Sequence, residues 1–124
     1  MNQIPTEAQE QKLLFDWAGY MIHRWPELAL MYHCPNGGSR NAIEAHNLRL
    51  QGVKAGIPDI FLPCARKGFH GLYIELKRRQ GGKVSYPQKR MLAALAQQGY
   101  RCEICHGADE AISVIQEYMD EATV

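Results

Sequence analysis

The stretch "LYIELKRRQGGKVS", residues 72–85, decides the fold because it carries a strand, a loop and a helix start in succession. A strand places alternate side chains on opposite faces, so one predicted face is aliphatic and the other carries Tyr73, Glu75 and Lys77. "QGGK" is typical of a loop, and Ser85 is placed to cap the helix that follows. The charged pair on the strand either faces solvent or takes part in chemistry, and the surrounding sequence distinguishes these two cases.

The segments around this stretch alternate between helical and extended patterns. Thr6 can cap an opening helix that runs to about Arg24, and Pro87 falls in the first turn of the helix that Ser85 caps. A short helix with a basic face is predicted over 40–50. Further predicted elements are strands at 28–34, 56–64 and 100–105 and a closing helix at about 109–118. This order predicts one domain over residues 1–124, an α/β sandwich with a mixed sheet.

The composition is that of an ordinary soluble globular protein, with 46% apolar and 22% charged residues. No apolar run approaches the roughly 18 residues that a membrane-spanning helix requires. The opening "MNQIPTEAQEQK" lacks the basic and apolar regions of a secretory signal peptide. We therefore expect a cytoplasmic protein.

Basic residues are concentrated in the middle of the chain. Between Arg40 and Arg90 lie 11 of the 14 Lys and Arg residues but only three of the 13 Asp and Glu residues. Such a concentration suggests a surface that binds a polyanion, with the nucleic-acid phosphate backbone as the usual target. The alternative is a solvated basic segment without a partner.

The "CEICH" segment, Cys102 to His106, matches the short pattern of c-type haem attachment. The segment lies in a predicted strand, and haem attachment would also require export. A structural zinc ion needs four ligands, and no second cysteine pair follows at a suitable spacing. We therefore expect neither haem nor zinc, and we expect the four cysteines to be reduced thiols.

The residues with catalytic character lie on two neighbouring predicted strands. Asp59 follows Pro58 near the start of one strand, and Glu75 and Lys77 lie on the next, so pairing of the two strands would bring them together. Two carboxylates can bind one hard divalent cation, and a nearby lysine can orient or deprotonate a water and offset phosphate charge. Taken singly, each residue is most simply structural, because Pro-Asp is common in turns and a charged strand face usually meets water. Their joint order inside the basic segment favours an active site.

"GIPD" (56–59) followed by "YIELK" (73–77) resembles the PD-(D/E)xK nuclease superfamily. The finer pattern resembles the VRR-NUC family, particularly its small stand-alone members from phages and bacteria. The resemblance covers nearly the whole chain, with matching segments "TEAQEQKLLFDWA", "HCPNGG", "GVKAGIPDIFL", "LYIELKRRQGGKVSYPQKRML" and "GYRCEICHGADEAISVI". It implies a restriction-endonuclease-like α/β/α core, with a mixed central β-sheet flanked by helices, working in the cytoplasm of a bacterial or phage-infected cell.

The resemblance also implies roles for individual residues. Asp59 and Glu75 would be metal ligands, with the backbone carbonyl of Leu76 as a further one, and Lys77 would be the catalytic lysine. Gln88 matches a glutamine that lies close to the active site in this family. The superfamily usually adds a glutamate from the first helix, for which this sequence offers Glu10, which we favour, or Glu7.

Other polar residues are candidates for contacts to the DNA backbone. Arg78, Arg79 and Lys83 follow the catalytic strand and could hold the phosphates around the cut. Weaker candidates, at the rim of the predicted cleft, are Asn36, Arg40 and Lys54. His33 and His46 are expected to have structural or surface roles.

The function that the resemblance implies is a Mg²⁺- or Mn²⁺-dependent DNA endonuclease. Related stand-alone domains resemble Holliday junction resolvases, so we expect a homodimer acting on branched DNA such as four-way junctions. A flap or nicking nuclease acting as a monomer is one alternative. A DNA-binding module that retains the fold without catalysis is another, although the intact Asp59, Glu75 and Lys77 argue against it.

Overall fold

The computed structural model describes residues 3–35 and 41–121. Four α-helices in this part of the chain are α1 (Glu7–Met21), α2 (Ala42–Leu50), α3 (Tyr86–Gln97) and α4 (Ala108–Met119). The strands are β1 (Tyr32–His33), β2 (Ile60–Leu62), β3 (Leu72–Lys77) and β4 (Arg101–His106), and a 3₁₀ helix spans Pro26–Leu30. No helix in the described ranges is long and apolar enough to cross a membrane.

The four strands form one mixed sheet in the order β1-β2-β3-β4. The pairs β1–β2 and β2–β3 are antiparallel, and β3 pairs with β4 in parallel, with Lys77 opposite His106. β3 therefore has a neighbour on each side.

The hydrophobic core lies on one face of this sheet. Leu72, Ile74 and Leu76 of β3 are at most 1% exposed, and α1 and α4 pack over them and against each other. Burying one such aliphatic side chain stabilises the fold by roughly 1.5–3 kcal/mol. α3 contacts β4 and approaches the opposite face, where Glu75 points. The predicted α/β/α core with a mixed central sheet is confirmed.

The helix starts follow the predicted caps. The side chains of Thr6 and Ser85 each accept a hydrogen bond from the backbone N–H of the third helical residue. The side-chain oxygen of that residue in turn accepts from the backbone N–H of the cap. Such a capping box satisfies two backbone donors that a helix leaves unpaired. The start of α3 at Ser85 matters for the site, since it places Gln88 in the first turn.

One predicted strand is largely wrong. Residues 28–34 were expected to be extended, but Pro26 begins a 3₁₀ helix that lasts to Leu30, and only Tyr32–His33 pair with β2. A short apolar run such as "LALM" does not itself distinguish a buried turn of helix from a strand. Proline at the first helical position favours the helical outcome here.

"CEICH" lies wholly on β4, as expected for a strand. Cys102 and Cys105 are three residues apart, so they point to opposite faces of the sheet. Burial raises the pKa of Cys105 to about 12, and Cys105 belongs to the hydrophobic core. All four cysteines are free thiols.

Candidate active site

Strand pairing brings Asp59 and Glu75 together. The register that joins Ile60 to Ile74 places Asp59, the residue before β2, opposite Glu75. The backbone N–H of Leu76 donates to Asp59 Oδ2 over 2.8 Å, which fixes the aspartate carboxylate against β3. Two carboxylates from neighbouring strands thus share one position on the sheet.

Glu75 is a buried carboxylate with an incomplete set of partners. Its side chain is only 2% exposed, and Oε2 accepts a hydrogen bond from Gln88 Nε2 at 2.8 Å and lies 3.3 Å from Lys77 Nζ. Oε1 is buried and has no hydrogen-bond partner among the described residues. An ionised carboxylate oxygen that is buried without a donor is costly, and a cation bound between Glu75 and Asp59 would offset that cost.

The charge state of Glu75 follows from this burial. Loss of solvation and the neighbouring Asp59 carboxylate raise the pKa of Glu75 to about 7, although Lys77 acts in the opposite direction. Two adjacent carboxylates resist ionising together unless a cation compensates them. The two carboxylates are therefore electrostatically suited to bind a cation.

Lys77 lies on the same face of β3, two residues beyond Glu75. It is only 8% exposed, and its backbone carbonyl accepts a hydrogen bond from Gly107 N at 2.9 Å. An ammonium group held in a nearly buried position beside carboxylates can stabilise the negative charge of a bound phosphate. β3 thus delivers both the carboxylate and the amine.

Gln88 is held in place by the start of α3. Its side-chain Oε1 accepts from Ser85 N at 2.8 Å, while Nε2 donates to Glu75. Gly56 packs directly on this turn, because a Cβ at that position would lie 2.4 Å from the Pro87 carbonyl oxygen. The cap of the helix and the loop before Asp59 therefore orient the glutamine together.

The residues present fit a hard divalent cation. Magnesium is usually bound through one or two protein carboxylates, with water and substrate oxygens completing its shell. Asp59 and Glu75 supply two carboxylates, and the unpartnered Glu75 Oε1 is available to a cation. No group of three or more His, Cys, Asp or Glu side chains suited to a metal occurs in the described ranges.

Glu10 has partners of its own, which favour a structural role over the expected one of active-site carboxylate and metal ligand, and the expected role stays a prediction. Its fully buried carboxylate accepts from Arg79 Nε at 2.7 Å and Nη2 at 2.9 Å, and from Ala108 N at 3.1 Å. The Arg79 hydrogen bonds hold the pKa of Glu10 below its usual value. Glu10 therefore joins α1 to the segment after β3 and to the start of α4. The alternative, Glu7, is exposed on α1.

Of the residues predicted to contact phosphate, two arginines form hydrogen bonds within the protein, and two lysines are exposed. Arg78 donates to the Pro5 and Ile4 carbonyls at 3.2 and 3.1 Å, and Arg79 is occupied by Glu10. Both arginines thus contact other parts of the protein while remaining exposed, and their expected contact with phosphate stays a prediction. Lys54 and Lys83 are exposed. The remaining two candidates, Asn36 and Arg40, lie outside the described residues.

Sequence reasoning missed His33 as a neighbour of the site. Its Nδ1 lies 2.9 Å from the backbone oxygen of Asp59. The signal that could have found it is the pairing of β1 with β2, but a strand of two residues has too little pattern to reveal its register.

Comparison with known proteins gives consistent results. A family model described as "VRR-NUC domain" matches residues 6–109. A solved structure described as "VRR_NUC domain protein" superposes with a TM-score of 0.81 at 31% sequence identity, covering 95% of this chain and 91% of that chain. A search of curated proteins finds no match.

Proposed function

The chain belongs to the VRR-NUC domain family, a nuclease family, and on that premise we propose that it is a Mg²⁺- or Mn²⁺-dependent DNA endonuclease that hydrolyses phosphodiester bonds. The observation that carries the proposal is the buried Glu75 carboxylate beside Asp59, with one oxygen left without a partner. Burial at this cost is explained if the pair binds a cation.

In this proposal Asp59, Glu75 and the Leu76 carbonyl hold the divalent ion. A bound ion of this kind polarises a phosphoryl group and lowers the pKa of a water molecule. Gln88 keeps Glu75 in position through the 2.8 Å hydrogen bond to Oε2, which directs Oε1 away from the glutamine. The role of Gln88 is thus to orient a ligand.

Lys77 has a separate role in the proposal. Its ammonium group can hold a proton near the scissile phosphate and balance the negative charge that develops there. The 3.3 Å separation from Glu75 Oε2 keeps the amine close to the carboxylates without requiring it to bind the ion.

The substrate is proposed to be branched DNA, such as a four-way junction, cut by a homodimer. In this proposal, contacts to the phosphate backbone would read the shape of the branched DNA. Lys54 and Lys83 are exposed and able to supply such contacts. A cytoplasmic location is part of the same proposal. A monomeric flap or nicking nuclease and an inactive DNA-binding module are the alternatives.

A cleavage panel separates these candidates. Labelled four-way junction, flap and linear duplex are incubated with the protein and Mg²⁺ or Mn²⁺, beside a measurement of its mass in solution. We expect the junction to be cut by a dimer, and Asp59→Ala to lose the cleavage. Binding of DNA without any cleavage by the wild type would favour the inactive module, and cleavage of flaps by a monomer would favour the other alternative.

A further inference from the structure

Asp59 is held through its main chain by His33, the last residue of β1, and by Cys34, which follows it. Its carbonyl oxygen accepts from Cys34 N at 2.7 Å and contacts His33 Nδ1 at 2.9 Å. A carbonyl oxygen only accepts hydrogen bonds, so His33 Nδ1 must carry the hydrogen and act as the donor. One carbonyl thus receives two donors from the neighbouring strand.

The same residue is held at its other end by β3, through the hydrogen bond from Leu76 N to Oδ2 at 2.8 Å. Asp59 lies just before β2, whose ladder begins at Ile60. The aspartate therefore depends on these cross-strand contacts for its position. Two groups donate to the Asp59 carbonyl oxygen, the backbone N–H of Cys34 and the side chain of His33. Only the side-chain donor can be removed by substitution.

We propose that His33 is a positioning residue for Asp59, holding the aspartate backbone so that its carboxylate meets the cation beside Glu75. This inference rests on the proposed metal-dependent function. Magnesium and manganese bind through oxygens at closely defined distances, so a small displacement of one of two carboxylates weakens binding. In metal sites generally, residues that orient a ligand affect metal affinity although they do not touch the ion.

Three variants on β1 test the role of the donor. His33→Phe keeps a ring but removes the donor, whereas His33→Asn places an amide N–H close to the position of Nδ1. Tyr32→Leu is the matched control, because Tyr32 contacts Phe61 at a ring separation of 5.9 Å and lies on the same short strand without bonding to Asp59. Each full-length variant is titrated with Mn²⁺ by calorimetry, and its melting temperature is measured without metal.

We expect His33→Phe to weaken Mn²⁺ binding about tenfold, and His33→Asn to retain most of the wild-type affinity. Tyr32→Leu should bind Mn²⁺ like the wild type, even if its melting temperature falls. Wild-type affinity in His33→Phe would overturn the inference. So would an equal loss of affinity in all three variants, since that result would indicate a general weakening of β1.

Asp59→Ala, titrated in parallel, separates this inference from the proposed function. If the wild type binds Mn²⁺ and Asp59→Ala does not, the metal site stands whatever the His33 variants do. If Asp59→Ala binds as tightly as the wild type, the proposed site is wrong and the role of His33 is overturned with it.

Discussion

Gln88 joins the start of α3 to the buried carboxylate of Glu75. One amide group makes both contacts: its Oε1 accepts from Ser85 N at 2.8 Å, and its Nε2 donates to Glu75 Oε2 at 2.8 Å. A side chain that is fixed at both ends of its amide has little freedom to turn. The orientation of Glu75 is therefore tied to the capping of a helix.

Replacing Gln88 tests this relationship. Gln88→Ala should reduce cleavage by roughly tenfold or more, because Glu75 loses the donor that orients it. Ser85→Ala is the matched control, since it removes the other half of the capping box and leaves the Gln88–Glu75 bond in place. Each variant should lose about 1 kcal/mol of unfolding free energy. Equal cleavage by both variants would show that the glutamine acts only as a cap.

Metal binding should depend on pH through Glu75. Its pKa of about 7 in the folded chain is above its ordinary value of 4.5, so folding retains a proton that the unfolded chain releases in this range. Without metal, stability should fall as pH rises from about 4.5 to about 7 and then level off. A cation competes with the same proton, so affinity should rise about tenfold per pH unit up to about 7.

Calorimetric titration with Mn²⁺ in buffers of different ionisation enthalpy measures this linkage. About one proton should be released on binding at pH 6, and close to none at pH 8.5. A constant affinity over this range would contradict the assignment of Glu75 as a ligand that must ionise.

Glu10 should matter for stability more than for catalysis. Glu10→Gln weakens a buried, charge-assisted pair with Arg79 and should lower the free energy of unfolding by roughly 1–3 kcal/mol while cleavage persists. The pKa of Glu10 is lowered in the folded chain, so its contribution is present above the ordinary carboxyl pKa and is lost as pH falls through the lower folded value. The variant should therefore lose stability less steeply in acid than the wild type.

Glu7→Gln is the control for this measurement, since Glu7 is exposed on the same helix. It should leave both stability and cleavage unchanged. Loss of cleavage in Glu10→Gln at unchanged melting temperature would indicate that Glu10 takes part in catalysis.

Gly56 should tolerate no side chain. Its φ of +82° is unfavourable for other residues, and a Cβ would lie 2.4 Å from the Pro87 carbonyl oxygen. Gly68 has a similar φ of +85°, but nothing lies within 4 Å of its Cβ position, so Gly68→Ala reports the backbone strain alone, about 1–2 kcal/mol. Chemical denaturation should find Gly56→Ala clearly less stable than Gly68→Ala. Equal stability of the two variants would mean that the start of α3 moves away from the added Cβ at little cost in free energy.

The sequence predicted the parts of the site that depend on local pattern. Alternation along 72–77 placed Glu75 and Lys77 on one face, and Ser85 with Pro87 located the start of the helix that carries Gln88. The Pro-Asp step and the following apolar run located Asp59 near the start of the adjacent strand, and it immediately precedes β2. These signals are local, because they follow from strand periodicity and helix capping.

Contacts between distant segments could not be predicted in the same way. Glu10 and Arg79 are 69 residues apart in the chain, and nothing near either residue indicates that a helix charge and a basic loop residue will pair. The role of His33 depends on the register of a strand of two residues, and the 3₁₀ helix at Pro26–Leu30 replaced a predicted strand. Tertiary packing decides each of these features.

Glu75→Gln is the substitution that tests the central claim most directly. It replaces a buried carboxyl group, whose pKa is raised to about 7 because burial disfavours its ionised form, with a neutral group of nearly the same shape. Cleavage of a four-way junction with Mg²⁺ or Mn²⁺ is measured beside the melting temperature at pH 8. We predict that cleavage falls about 100-fold or more while the melting temperature is equal to or above that of the wild type. Wild-type cleavage by Glu75→Gln would contradict the account.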